Sequence, residues 1–206
     1  IDEVTVGNLW GAGFQPGWFD YDNDGDVDLY IVNDFGRFLH SNVLWRNDGL
    51  DIDGTWTFTD ISTGSGADVQ IFGMSMAVGD YNQDGFFDVF ITDIRGNVLL
   101  RNDGNGRTFT DLATEAGVNT KMIGRRVRVS WGAFFFDYDN DTDLDLYIVS
   151  GFLGGGKVAG NPLEQPNLLM NNDSGGMFKD VSWMSGADDK GVGRGGVYLD
   201  YDNDGC

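Results

Sequence analysis

One acidic motif that keeps returning limits what this chain can fold into. DYDNDGDVD begins at Asp20, DYNQDGFFD at Asp80, DYDNDTDLD at Asp137 and DYDNDGC at Asp200, with starts 60, 57 and 63 residues apart. A period near 60 residues is the mark of a protein built from repeated supersecondary units, each covering its neighbour's apolar face. Two further motifs keep step with the first. LWRNDG (Leu44–Gly49), LLRNDG (Leu99–Gly104) and LLMNND (Leu168–Asp173) are followed by TFTDIS from Thr57, TFTDLA from Thr108 and MFKDVS from Met177. A small-residue loop then follows at 64–67, 115–118 and 185–187.

Each unit reads as four short strands. In the second, Met74–Gly79 alternates and enters the acidic loop, and Phe87–Thr92 leaves it rich in β-branched and aromatic residues. Val98–Asn102 is the third strand, the Asn102-Asp103-Gly104 turn closes a hairpin, and Thr108–Leu112 is the fourth. Four antiparallel strands in about 60 residues predict an all-β chain of β-propeller blades. The expected repeats are residues 13–72, 73–130, 131–193 and a truncated 194–206, forming one region over 1–206. Three blades and the start of a fourth fall short of closure, so a piece of a longer protein is expected. With 32 glycines and only 3 prolines, the composition suits many tight turns, and 41% hydrophobic residues suffice for a core.

Crowded carboxylates repel and must stay solvated or meet a cation. Counting from the first Asp of each motif, positions 1, 3, 5 and 9 offer side-chain oxygens and position 7 a backbone carbonyl. A sharp turn at position 6 favours glycine. Such an oxygen set suits calcium, and the absence of His or Cys from the first three loops argues against zinc. The candidate ligands are Asp20, Asp22, Asp24, Asp26 and Asp28; Asp80, Asn82, Asp84, Phe86 and Asp88; Asp137, Asp139, Asp141, Asp143 and Asp145; and Asp200, Asp202 and Asp204. Loop two, with Asn82 and Phe86, carries less charge; Thr142 stands where loop three needs glycine; loop four lacks positions 8 and 9. An EF-hand requires Glu at position 12 and flanking helices, whereas Ile31, Ile91 and Ile148 stand there within strand-like runs. The alternative of merely solvated acidic turns fits one loop better than four in register. The loops hold sixteen of the 33 acidic residues, so calcium there would neutralise much of the net charge of −20.

These paired motifs resemble the FG-GAP or VCBS repeat, in the form seen in cartilage acidic proteins and, for the calcium loop, in integrin α-subunits. The FG…GAP signature itself is only partly matched, at Phe72-Gly73 and Trp131-Gly132-Ala133. The resemblance implies a calcium-binding β-propeller at the cell surface or outside the cell. It does not fix an activity, because function lives in sites grafted on a fold.

Net charge argues against nucleic acid and anionic membranes as partners, and no apolar run is long enough to span a bilayer. Cys206 is the single cysteine, so no internal disulfide is expected. Gly151–Lys157 matches the start of a P-loop, but Val158 and a helix-poor AGNPLEQP follow, so an inserted loop is the expectation. Lys121, Arg125, Arg126 and Arg128 form the one basic cluster, able to meet an acidic glycan or to pair internally. His40 reads as a polar loop residue. Trp45 and Trp131 are expected between blades, and Trp10, Trp18, Trp56 and Trp183 nearer loops and exposed.

The leading expectation is a non-catalytic extracellular module for binding or adhesion, with calcium as a brace and a protein or glycan partner. A structural subunit of a surface assembly is the alternative. A polysaccharide lyase or hydrolase needs an acid/base pair free of calcium, and Glu3, Glu115 and Glu164 offer none that stands out.

Overall fold

The computed structural model describes residues 11–123, 126–153 and 165–202. Among them the chain forms three four-stranded antiparallel sheets and one two-stranded ribbon. The first sheet contains β1 (Ala12–Phe19), β2 (Asp28–Asp34), β3 (Val43–Leu50) and β4 (Trp56–Asp60). A single helical turn, α1 (Ser62–Ser65), follows it. The second contains β5 (Gly73–Gly79), β6 (Asp88–Asp93), β7 (Val98–Asn102) and β8 (Phe109–Asp111). The ribbon pairs β9 (Met122–Ile123) with β10 (Arg126–Val127). The third sheet contains β11 (Ser130–Phe136), β12 (Asp145–Ser150), β13 (Leu168–Asn172) and β14 (Phe178–Asp180), with α2 (Ser182–Ser185) after it. In every sheet consecutive strands are neighbours, so each unit is a simple meander.

Register repeats too. Phe19 pairs with Asp28, Gly79 with Asp88 and Phe136 with Asp145, so each acidic loop bridges the same rung. The NDG motif of the third unit sits one residue later than its six-residue window implies. Asn172, not Asn171, takes the place of Asn47 and Asn102, since its backbone N–H meets Asp145 as theirs meet Asp28 and Asp88. Ser174 accordingly adopts the left-handed backbone (φ 45°) of Gly49 and Gly104.

The core lies between sheets because side chains alternate across a strand. Val89 and Ile91 of β6 face the first sheet and cluster with Tyr30, Val32 and Leu44. Phe90, between them, faces the other way and clusters with Leu146 and Ile148 of the third sheet. Every residue of β6 is therefore buried, whereas β2 buries one face well and the other only partly. The tyrosine at motif position 2 packs across the same interfaces: Tyr21 lies against Phe109, and Tyr81 stacks on Phe135 and touches Phe178. The small-residue loop is small for a steric reason. Gly66 has φ 82°, and a Cβ there would come within 2.5 Å of the Phe109 carbonyl in the next unit.

The uncovered face of the first sheet is apolar. Leu29, Ile31, Val43, Trp45, Trp56 and Phe58 line a groove of about 570 Å³ there. Trp45 thus lies on an open face, not between described sheets. Trp18 and Trp56 are exposed, as expected, but sit on β1 and β4, and Trp183 is exposed on α2. Trp131 donates from Nε1 to the Gly151 carbonyl and lies under Arg194. At the other end, Tyr198 stacks on Phe134 and approaches Phe136 of the third sheet.

Of the basic cluster, Arg128 is an internal residue. Arg128 is buried, and its Nη1 donates to Ser150 Oγ and to the Pro166 carbonyl. Desolvation lowers its pKa, and its Nε has no hydrogen-bond partner. Lys121 is exposed, Arg126 lies on β10, and Arg125 lies outside the described residues. Trp10, Glu3, Glu164, Asp204, Cys206 and the stretch 154–157 of the P-loop-like segment also lie outside them. His40 borders the groove, with Nδ1 2.9 Å from the Ser41 carbonyl.

Candidate metal centre

The three acidic loops among the described residues at 20–28, 80–88 and 137–145 are held in shape by their own carboxylates. The position-1 carboxylate folds over the turn and accepts two backbone N–H groups. Asp20 takes those of Asp24 and Gly25, Asp80 those of Asp84 and Gly85, and Asp137 those of Asp141 and Thr142, at 2.8–3.1 Å. The position-5 carboxylate accepts the N–H two residues on, Asp24 from Asp26, Asp84 from Phe86 and Asp141 from Asp143. These are Asx turns, which Asp forms readily. Closing the loop needs left-handed backbone at positions 4 and 6. Position 4 is Asn23, Gln83 and Asn140 with φ near 60°, and position 6 is Gly25, Gly85 and Thr142. Thr142, at φ 79°, holds a β-branched residue where glycine is free of strain.

Position 9 does more than offer a ligand oxygen. Asp28, Asp88 and Asp145 are fully buried. Each accepts the N–H of the position-2 tyrosine through Oδ2 and the N–H of the NDG asparagine through Oδ1. The carboxylate therefore ties the start of the acidic loop to the third strand. Burial pushes Asp28 up to about 6 and Asp88 up to about 7, against the pull of those N–H donors, and also raises Asp145.

Two triads of carboxylates converge. Asp20, Asp22 and Asp28 each present an oxygen within 4.8 Å of the others, as do Asp137, Asp139 and Asp145. Such groups can hold a metal ion. Asp22 Oδ1 is buried and has no hydrogen-bond partner, and burial followed by the charge of Asp24 raises the Asp22 pKa. A buried, unpaired carboxylate oxygen is costly unless a cation meets it. An all-oxygen set matches a hard cation. In the second loop Asn82 stands in place of the third carboxylate and turns its amide to Asp84. Asp24 and Asp141 stand outside the triads. Asp26 is half-buried, Phe86 offers only its backbone, and Asp143 is buried and accepts from Gln83 and Ser174. Asp200 and Asp202 are exposed and outside regular secondary structure.

Sequence reasoning overlooked the NDG asparagine. Asn102 Nδ2 donates to the Tyr21 carbonyl of the preceding unit at 2.8 Å, and Asn172 Nδ2 to that of Tyr81 at 2.8 Å. Each bond is buried and joins one unit's third strand to the residue between positions 1 and 3 of the previous loop. Recurrence of Asn at one place in the repeat was the available signal, but it read as a hairpin turn. Arg46 and Arg101, which precede it, pair with Asp48 and Asp103. The corresponding Asn171 reaches Asp139 and Asp145 at 3.4 and 3.3 Å.

Repeated four-stranded units that each carry this loop define a sequence family, and the sequence model of FG-GAP-like repeats matches residues 20–91 and 80–148. The chain belongs to the FG-GAP-like repeat family. It is also 26% identical over 187 residues to "Cartilage acidic protein 1" of Xenopus tropicalis, an alignment covering 89% of this chain and 26% of that protein. The chain thus spans about a quarter of the length of the curated relative it matches. No helix among the described residues is long and apolar enough to cross a membrane.

Proposed function

We propose that this FG-GAP chain is a calcium-braced, non-catalytic binding module that works outside the cell or at its surface. The observation carrying the calcium reading is the buried, unpartnered Asp22 Oδ1 beside Asp20 and Asp28. In the first and third loops positions 1, 3 and 9 supply carboxylates, and position 5 and the position-7 carbonyl complete the oxygen set. The second loop, with Asn82, holds its ion more weakly. Calcium supplies the charge that lets these carboxylates crowd together, and so fixes the turn leading into each unit's second strand. Millimolar extracellular calcium keeps sites of modest affinity filled.

We further propose that the units are blades of a β-propeller. Support comes from the repeat itself. The face of the second sheet carrying Val89, Ile91, Val98 and Leu100 is covered by the first sheet. Leu29, Ile31, Val43 and Trp45 are the matching positions on the first sheet, where they line the open groove. Another unit of the same repeat has the right shape and chemistry to cover them. The partner is a protein or a glycan, reached through loops that calcium holds in place.

Elemental analysis of the purified chain, with melting in millimolar calcium and in excess EDTA, tests the metal. Two or three bound calcium ions and a melting point many degrees lower in EDTA are expected. Asp22→Ala and Asp139→Ala should each remove one ion and part of that shift. No bound metal and no EDTA effect would refute the reading.

A further inference from the structure

The acidic loops touch one another. Asn23, at position 4 of the first loop, donates from Nδ2 to the Gly85 carbonyl, position 6 of the second loop, at 2.9 Å. Gln83, at position 4 of the second loop, donates from Nε2 to the Thr142 carbonyl, position 6 of the third, at 3.1 Å, and to Asp143 Oδ1 at 2.7 Å. The same link occurs twice, about 60 residues apart.

The receiving end is one peptide plane held from both sides. In the second loop the Gly85 C=O meets Asn23, and the N–H of the same peptide, on Phe86, donates to Asp84. In the third, the Thr142 C=O meets Gln83, and the Asp143 N–H donates to Asp141. The incoming amide therefore fixes the peptide that orients both the position-5 carboxylate and the position-7 carbonyl. The donating end is equally constrained. Residue 4 sits between candidate ligands at positions 3 and 5, in left-handed backbone with φ 60° at Asn23 and 58° at Gln83. A cation that draws positions 3 and 5 together also sets the direction of the residue 4 amide.

We propose that these position-4 amides couple the loops, so that a divalent cation in one orders its neighbour for the next and binding is positively cooperative along the chain. This rests on the calcium reading above. A loop already ordered loses less conformational freedom when its own ion enters, which is cooperativity without a large change of shape. The coupling must be reciprocal, each ion strengthening the other by the same factor. The Asn23 link is one neutral, solvent-facing hydrogen bond, and the Gln83 link adds a bond to the Asp143 carboxylate, which puts that factor at about fivefold.

Calorimetric titration of the full chain with calcium chloride, beside Gln83→Met, gives the test. Methionine keeps the length and removes the donor. The wild-type chain should titrate with a Hill coefficient above 1. The variant should bind the same number of ions with a lower coefficient and about fivefold weaker filling of the coupled site. Hydrogen exchange supplies a second readout. In calcium, Asp22→Ala should loosen the Phe86 amide, which belongs to the next loop and donates to Asp84. Identical titrations for wild type and Gln83→Met, with Phe86 protection unmoved by Asp22→Ala, overturn the coupling while leaving calcium binding intact. Absence of any calcium heat overturns the calcium reading and the coupling with it.

Discussion

Replacing Asn102 by alanine removes a side chain that holds two units together. In the folded protein its Nδ2 donates to the buried Tyr21 carbonyl at 2.8 Å, and its Oδ1 accepts the Gly104 N–H at 3.1 Å. Alanine leaves the Tyr21 carbonyl buried without a donor, which costs about 1–3 kcal/mol, and the lost turn bond adds about 1 kcal/mol. The expected destabilisation is about 3 kcal/mol. At a urea slope of about 3 kcal/mol/M the midpoint falls by about 1 M, and melting falls by roughly 6–12 °C for a chain of this size. Asn47→Ala is the internal control. Asn47 makes the same turn bond, to Gly49 at 3.0 Å, but its Nδ2 reaches only Val27 of its own unit at 3.1 Å. Its cost should be about half as large. Urea unfolding in calcium, followed by tryptophan fluorescence, compares the two. Equal losses, or none at Asn102, would refute the claim that this asparagine joins the units.

Three further outcomes follow from the loops. Thr142→Gly should raise stability by about 0.5–1 kcal/mol, because φ 79° strains a β-branched residue more than glycine loses in chain entropy; a lower melting point would show the turn unstrained. In EDTA, stability should fall as pH rises from about 4 to about 7. Burial lifts Asp28 to about 6 and Asp88 to about 7, so the native state keeps protons that the unfolded chain has released, and that advantage is lost as pH passes the folded values. A flat EDTA profile over that range would count against buried position-9 carboxylates, and Asp88→Asn should reduce the slope. Asn82→Asp should tighten the weakest loop roughly tenfold by adding a third carboxylate, measured by calcium titration; unchanged affinity would place Asn82 outside the coordination sphere.

Much of the architecture was legible because it is written in short-range chemistry. A loop of Asp, Asn and Gly leading into DLYIV or DVFIT specifies a turn and then a strand wherever it occurs, and its return every 60 residues specifies a stack of like units. The second unit's four expected strands match β5 to β8 to within one residue at each end. The third unit's NDG register lies one residue beyond its six-residue window, because Leu168-Leu169 allows two alignments and only the hydrogen bond to Asp145 chooses between them. The basic cluster offered two readings, an outside partner or internal pairing, and for Arg128 only the fold shows which oxygens, those of Ser150 and Pro166, take its guanidinium.

The sequence by itself determined the repeat, the all-β character, the positions of the acidic loops and the oxygen chemistry they offer, since each depends on residues close together in the chain. Tertiary structure alone decided which oxygens converge, that Asp28, Asp88 and Asp145 are buried clamps, and that Asn23, Gln83, Asn102 and Asn172 join one unit to the next. Those features depend on how two sheets pack, and the pairing of groups such as Asn172 and Tyr81, 91 residues apart, leaves no mark in local spacing.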